Sequence, residues 1–98
     1  MQPFDVFLSE AALTDLEDVV EYYNEKLSGL GFRFFRQAEA SLRRIADNPY
    51  IYSRRYQDVR CTRVRKFPFL IHFNIDVANN SVFILAVFST HQKPLWES

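Results

Sequence analysis

Apolar and polar positions change period several times along the chain, and each change marks an element. Residues 3–8, PFDVFL, alternate: Phe4, Val6 and Leu8 fall on one side of a short strand, Asp5 and Phe7 on the other. Ser9 has the side chain of an N-cap, and Glu10 suits the positive end of a helix dipole. Ala12, Leu13, Leu16, Val19, Val20, Tyr23 and Leu27 then recur at helical spacing, with Asp15, Asp18, Glu21 and Glu25 largely on the solvent side. Ser28-Gly29-Leu30-Gly31 holds the only glycines and predicts a break. A second helix is predicted from Phe32 to Asp47, with Phe35, Ala38, Leu42, Ile45 and Ala46 inward, and Asn48-Pro49 stops it. So short a link between two amphipathic helices predicts an antiparallel hairpin.

Tyr50–Gln57, YIYSRRYQ, is aromatic and basic without a clean period and reads as an ordered loop. Three strands are predicted after it, at about Val59–Lys66, Phe69–Asp76 and Ser81–Thr90. Val77-Ala78-Asn79-Asn80 forms a hairpin turn, because Asn tolerates positive φ. Pro68 lacks an amide donor and belongs at the start of a strand or on an edge. SVFILAVFS is almost wholly apolar, which implies burial on both faces and a central place in the sheet. The expected fold is α+β in the order β-α-α-β-β-β: a small, antiparallel-rich sheet with a helical hairpin packed on one face. Along KFPFLIHFNID the residues Phe67, Phe69, Ile71, Phe73 and Ile75 share the helix-facing side. Leu70, His72, Asn74 and Asp76 point to the open side.

The 98 residues hold one core, so a single domain spanning 1–98 is expected. About half are apolar and ten are Phe, enough for a globule without crosslinks or metal. Cys61 is the one cysteine, so no internal disulfide is expected, which fits a reducing cytosol. The N-terminus lacks a signal-peptide pattern, and no apolar run approaches the roughly 20 residues that span a bilayer. A soluble cytoplasmic protein is expected.

Net charge is zero, yet the charges are sorted. Residues 1–27 carry seven acids and one base, residues 28–66 ten bases and three acids, and residues 67–98 one base and two acids. A polyanionic partner would meet the middle third; equally, an acidic first helix could neutralise a basic second one.

Several segments together carry a resemblance. They are an opening strand into SEAALTDLEDVVEYY, then GLGFRFFRQAEASLRRIADNPY, then DVRCTRVRKFPFLIHF with its R-x5-KFPF-x-I-x-F pattern, then VFILAVFSTHQKPLW. In order and residues the chain resembles the RelE/ParE toxins of bacterial type II toxin–antitoxin systems over one whole domain. It looks closer to the ParE, plasmid-stabilisation side. The resemblance implies a cognate antitoxin wrapped along helices and sheet, and no cofactor or metal. It implies one of two targets: DNA gyrase, inhibited without hydrolysis, or the ribosome and its mRNA, cleaved by a RelE-like endoribonuclease. An inactive module that only binds antitoxin is a third reading.

Cleavage of RNA at the 2′-OH needs a base, an acid and cations on the phosphate. The candidate catalytic residues, for a RelE-like activity only, are His72, Arg60 and His91. The candidate target- or phosphate-binding residues are Arg60, Arg63, Arg65, Lys66 and Lys93. Each has a plainer reading. His72 can be a half-buried ring hydrogen-bonded to a neighbour, and Arg60 can pair with Asp58 or Asp76. Arg63 and Arg65, on one strand face, can form a solvated basic surface. Tyr50, Tyr52 and Tyr56 can stack on bases or pack on the core, and Trp96 can anchor the C-terminus. Relatives often carry His and further bases before the closing Pro. Here Ser89 and Gln92 stand in those places, which leaves acid–base work at that end to His91. Zero net charge also argues against a stand-alone RNA binder.

Overall fold

The computed structural model describes residues 2–90. Strand β1 (Asp5–Leu8) leads into α1 (Glu10–Lys26) and α2 (Leu30–Asp47), followed by a 3-10 turn at Pro49–Ile51. Then come β2 (Arg54–Tyr56), β3 (Val59–Arg63), β4 (Phe69–Asp76) and β5 (Ser81–Ser89). The five strands form one sheet in the order β1-β5-β4-β3-β2, with β1 parallel to β5 and every other pair antiparallel.

The expected α+β layering is present, with the two helices over one face of the sheet. Ala12, Leu16 and Val19 of α1 and Phe34, Ala38 and Ile45 of α2 share one core with Ile71, Phe73, Val82, Ile84 and Val87. Tyr23 sits among Phe34, Phe67 and Phe69 with ring centroids 5.1–6.1 Å apart, mostly edge to face, pairs worth about 0.5–1.5 kcal/mol each beyond area burial. Ser9 caps α1: its Oγ accepts from the Ala12 amide at 3.0 Å and donates to the Leu85 carbonyl at 3.0 Å. That second bond ties the helix start to a bulge in β5. His72 lies opposite Ala86 but Phe73 lies opposite Ile84, so Leu85 is the extra residue. One turn along α1, Asp15 Oδ2 accepts from the Val87 amide at 2.9 Å.

Four details differ from the sequence expectation. First, α2 starts at Leu30, so Gly31 lies inside it. A Cβ on Gly31 would stand 2.2 Å from the Val20 carbonyl oxygen, so this glycine lets the helices close together, whereas Gly29, at φ +89°, makes the turn. Second, Phe34 is the buried phenylalanine of α2, and Phe35 faces outward. Third, YIYSRRYQ contains β2, a three-residue edge strand whose hairpin to β3 is turned by Gln57 at φ +46°. Four strands therefore follow the helices instead of three. Fourth, β3 ends at Arg63, and Arg65 and Lys66 belong to the turn before β4. The strand β5 is interior, between β1 and β4, but Phe83 is 40 % exposed, so burial on both faces does not run its whole length.

Candidate functional site

The alternation of β4 places His72 on the face of the sheet away from the helices, as its pattern predicts, opposite Cys61 of β3 and Ala86 of β5. That position is nevertheless sealed: His72 is only 3 % exposed. Its Nδ1 lies 3.1 Å from the Tyr56 hydroxyl and 3.3 Å from Cys61 Sγ. The Phe88 ring meets the imidazole edge to face at 5.3 Å. The short strand β2, absent from the sequence reading, is what brings Tyr56 over the imidazole.

Arg60 and Arg63 lie three residues apart on one strand, so they emerge on opposite faces. Arg60 is paired across the ladder with Phe73, on the helix side. There it donates to the Tyr52 carbonyl at 2.6 Å, with its guanidinium 5.6 Å from the centroid of the Tyr50 ring. Neither acid proposed for it is its partner among the described residues. Asp58 pairs with Arg54 at 3.6 Å, and Asp76 accepts from Asn79 at 2.8 Å. Arg60 also lines a cleft of about 570 Å³ with Tyr50, Arg54, Asp58, Asn74 and Asp76. Arg63 lies exposed on the open side and donates from Nε to the Phe67 carbonyl at 3.1 Å. Arg65 and Lys66 are exposed in the turn. Lys66, at φ +72°, reaches a second cleft beside α2, with Arg33 and Gln37. The basic run therefore does not form one platform beside His72. Strand alternation divides it, and the early end of β3 carries the remainder around to the helices. His91, Lys93, Gln92 and Trp96 lie outside the described residues. Tyr52 packs edge to face on Phe73 at 5.8 Å, and Tyr50 does the same with Phe4 at 5.9 Å.

A different surface stands out on the outer side of the helical hairpin. Leu13, Leu16 and Val20 of α1 and Phe35 of α2 floor a groove of about 650 Å³, bordered by Glu17, Glu21, Asn24 and Glu25. Leu13 is 52 % and Phe35 41 % exposed. The sequence signal for this groove is an apolar arc on α1 too wide for a single buried stripe. Below it, burial holds the Asp15 carboxyl above its ordinary pKa of 3.8, opposed by the bond from the Val87 amide and reinforced by the nearby charge of Asp18.

Residues 6–94 match the family described as the ParE toxin of type II toxin–antitoxin system, parDE. The chain belongs to the ParE toxin family. No curated protein sequence matches it. Solved structures share the toxin's fold at low identity. A chain of the chromosomal ParDE TA system from P. aeruginosa has a TM-score of 0.75 at 13 % identity, over 88 % of this toxin and 95 % of that chain. A chain of the intact E. coli RelBE toxin–antitoxin complex has a TM-score of 0.64 at 14 % identity, over 91 % and 99 %. A chain of the archaeal RelE–RelB complex from Pyrococcus horikoshii has a TM-score of 0.60 at 10 % identity, over 93 % and 99 %.

Among the described residues of the toxin, the histidine and the strand arginine proposed to act together are separated by the sheet itself. A general base must reach the proton it removes, and His72 is buried with its Nδ1 against Tyr56 and Cys61 of its own fold. Arg60 gives one N–H to a backbone carbonyl, a bond that orients the guanidinium along the Tyr50–Tyr52 segment.

Proposed function

We propose that this toxin acts by gripping a protein target, DNA gyrase, and not by cutting mRNA on the ribosome. The observation that carries the reading is the separation of His72 from Arg60: a buried imidazole held by Tyr56 and Cys61 on one face, and a guanidinium held by Tyr52 on the other. Membership of the ParE family supports the same choice. Purified toxin at micromolar concentration is expected to inhibit DNA supercoiling by gyrase. Unimpaired supercoiling, combined with fresh cuts in A-site message on added ribosomes, would reverse the assignment in favour of a RelE-like nuclease. Unimpaired supercoiling, intact message and harmless overexpression would leave an inactive antitoxin-binding module.

The proposal includes silencing by a cognate antitoxin, seated in the groove over Leu13, Leu16, Val20 and Phe35. An amphipathic helix in a groove anchors itself through apolar residues at helical spacing. Glu17, Glu21 and Glu25 along the border favour Lys or Arg on its flank. Binding to the folded toxin would raise its stability by mass action. Such a pair works in the cytoplasm, and no helix among the described residues is long and apolar enough to cross a membrane.

A further inference from the structure

The cleft between α2 and the β3–β4 turn lies apart from the apolar groove assigned to the antitoxin. It measures about 490 Å³ and is lined by Leu30, Arg33, Gln37, Lys66 and Phe67. Its floor is apolar, its polar groups are two cations and an amide, and no carboxylate lines it among the described residues. Arg65 continues the positive charge along the same turn, while Arg63, the last residue of β3, is bonded through Nε to the Phe67 carbonyl. None of Arg33, Arg63, Arg65 and Lys66 has an ion-pair partner among the described residues.

These cations stand together with no carboxylate lining the cleft among the described residues. Helix α1 follows the usual electrostatic order, with Glu10 in the first turn and Lys26 in the last. In α2 the first turn holds no acid, and Arg33 stands near the end where the helix dipole is already positive. Across the cleft, Lys66 is held in the left-handed region, where Asn or Gly would be at less cost. Like charges facing one another over an apolar floor raise the local potential, and a polyanion lowers it again. We propose that this cleft binds the phosphates of a nucleic-acid backbone, with Arg33 and Lys66 on one phosphate, Gln37 donating from its amide, and Arg65, in the same turn, guiding the flanking strand. A single carboxylate would occupy the cleft but leave Arg65 unused, whereas a phosphodiester chain can meet both. The site is independent of which protein the toxin grips.

The test is fluorescence anisotropy of a short labelled DNA duplex with the full 98-residue chain, repeated across a salt series. Arg33→Ala with Lys66→Asn is expected to weaken binding about tenfold or more, and to lower the slope of log K against log salt by about 1, the one phosphate the pair shares. Lys66→Asn alone relieves the positive φ, so its melting temperature should rise while its affinity for DNA falls; a merely structural lysine would not give that opposition. Arg43→Ala with Arg55→Ala removes the same charge away from the cleft and should leave most of the affinity. The proposal is overturned if the cleft pair binds DNA like the unmodified toxin, or if the distant pair loses as much. It is overturned also if poly-glutamate, at equal charge, displaces the toxin as well as unlabelled duplex does, which would assign the cleft to an acidic protein surface.

Discussion

Replacing Asp15 with Ala tests how α1 is fastened to the sheet. In the folded chain the Asp15 carboxylate is the acceptor for the Val87 amide at 2.9 Å, and Val87 is buried just beyond the bulge at Leu85. Alanine leaves that N–H without this acceptor, at a cost of about 1–3 kcal/mol. In a domain of this size each kcal/mol moves Tm by about 4–8 °C, so a fall of roughly 5–20 °C is expected in a thermal melt followed by circular dichroism. Asp15→Asn keeps an acceptor oxygen in place and should cost much less. The pH dependence separates charge from hydrogen bonding. Burial holds the Asp15 carboxyl above its ordinary 3.8, so the folded state retains this proton to higher pH than the unfolded state does. By linkage, the stability of the native chain relative to Asp15→Asn is greatest below 3.8. It declines as pH rises through the folded value and is flat above it. Equal melting temperatures for the native chain and Asp15→Ala would refute the fastening. An Asn variant as damaged as the Ala variant would show that the charge, and not the acceptor, matters.

Three further outcomes follow from packing. Gly31→Ala drives a Cβ against the Val20 carbonyl oxygen and should cost about 1–3 kcal/mol by denaturant titration; Gly29→Ala meets no neighbour and should cost only about the 1–2 kcal/mol of a left-handed residue. His72→Ala should destabilise by about 2–4 kcal/mol through lost packing and hydrogen bonding. Gyrase inhibition per folded molecule should persist; message cleavage on ribosomes by the native chain that a folded His72→Ala protein loses would restore a catalytic role. Leu13→Ser and Phe35→Ser should change stability by no more than about 0.5 kcal/mol, yet each should weaken antitoxin binding in calorimetry by about 1–2 kcal/mol or more.

What could be read in the sequence, and what could not, divides along the range of the physics. Ser9 as a cap, the alternation of β4 and the Val77–Asn80 turn are set by neighbours a few residues away, and these local signals agree with the structure. The choice between Phe34 and Phe35 is not local. Both stand at helical spacing from Ala38, and the rotation of α2 is decided by how closely Gly31 lets it approach Val20 and Asn24. The division of the basic run is half local: alternation alone separates Arg60 from Arg63, but the turn after β3 holds Lys66 at a positive φ that no Gly or Asn announces. His72 illustrates the same limit. Its face could be read from the pattern, and its burial could not, because the cover comes from the three-residue strand β2. The groove on the helical hairpin is the opposite case, a site whose signal lies in an excess. Helix α1 and its cap offer seven apolar positions at helical spacing, and the chain buries three of them, Ala12, Leu16 and Val19. A sheet covers only one stripe of a helix. Apolar residues beyond that stripe, bordered by Glu17, Glu21 and Glu25, keep water-exposed hydrophobic surface that burial by a partner would remove. In this toxin the surplus of apolar positions, more than any titratable residue, is what the proposed antitoxin seat rests on.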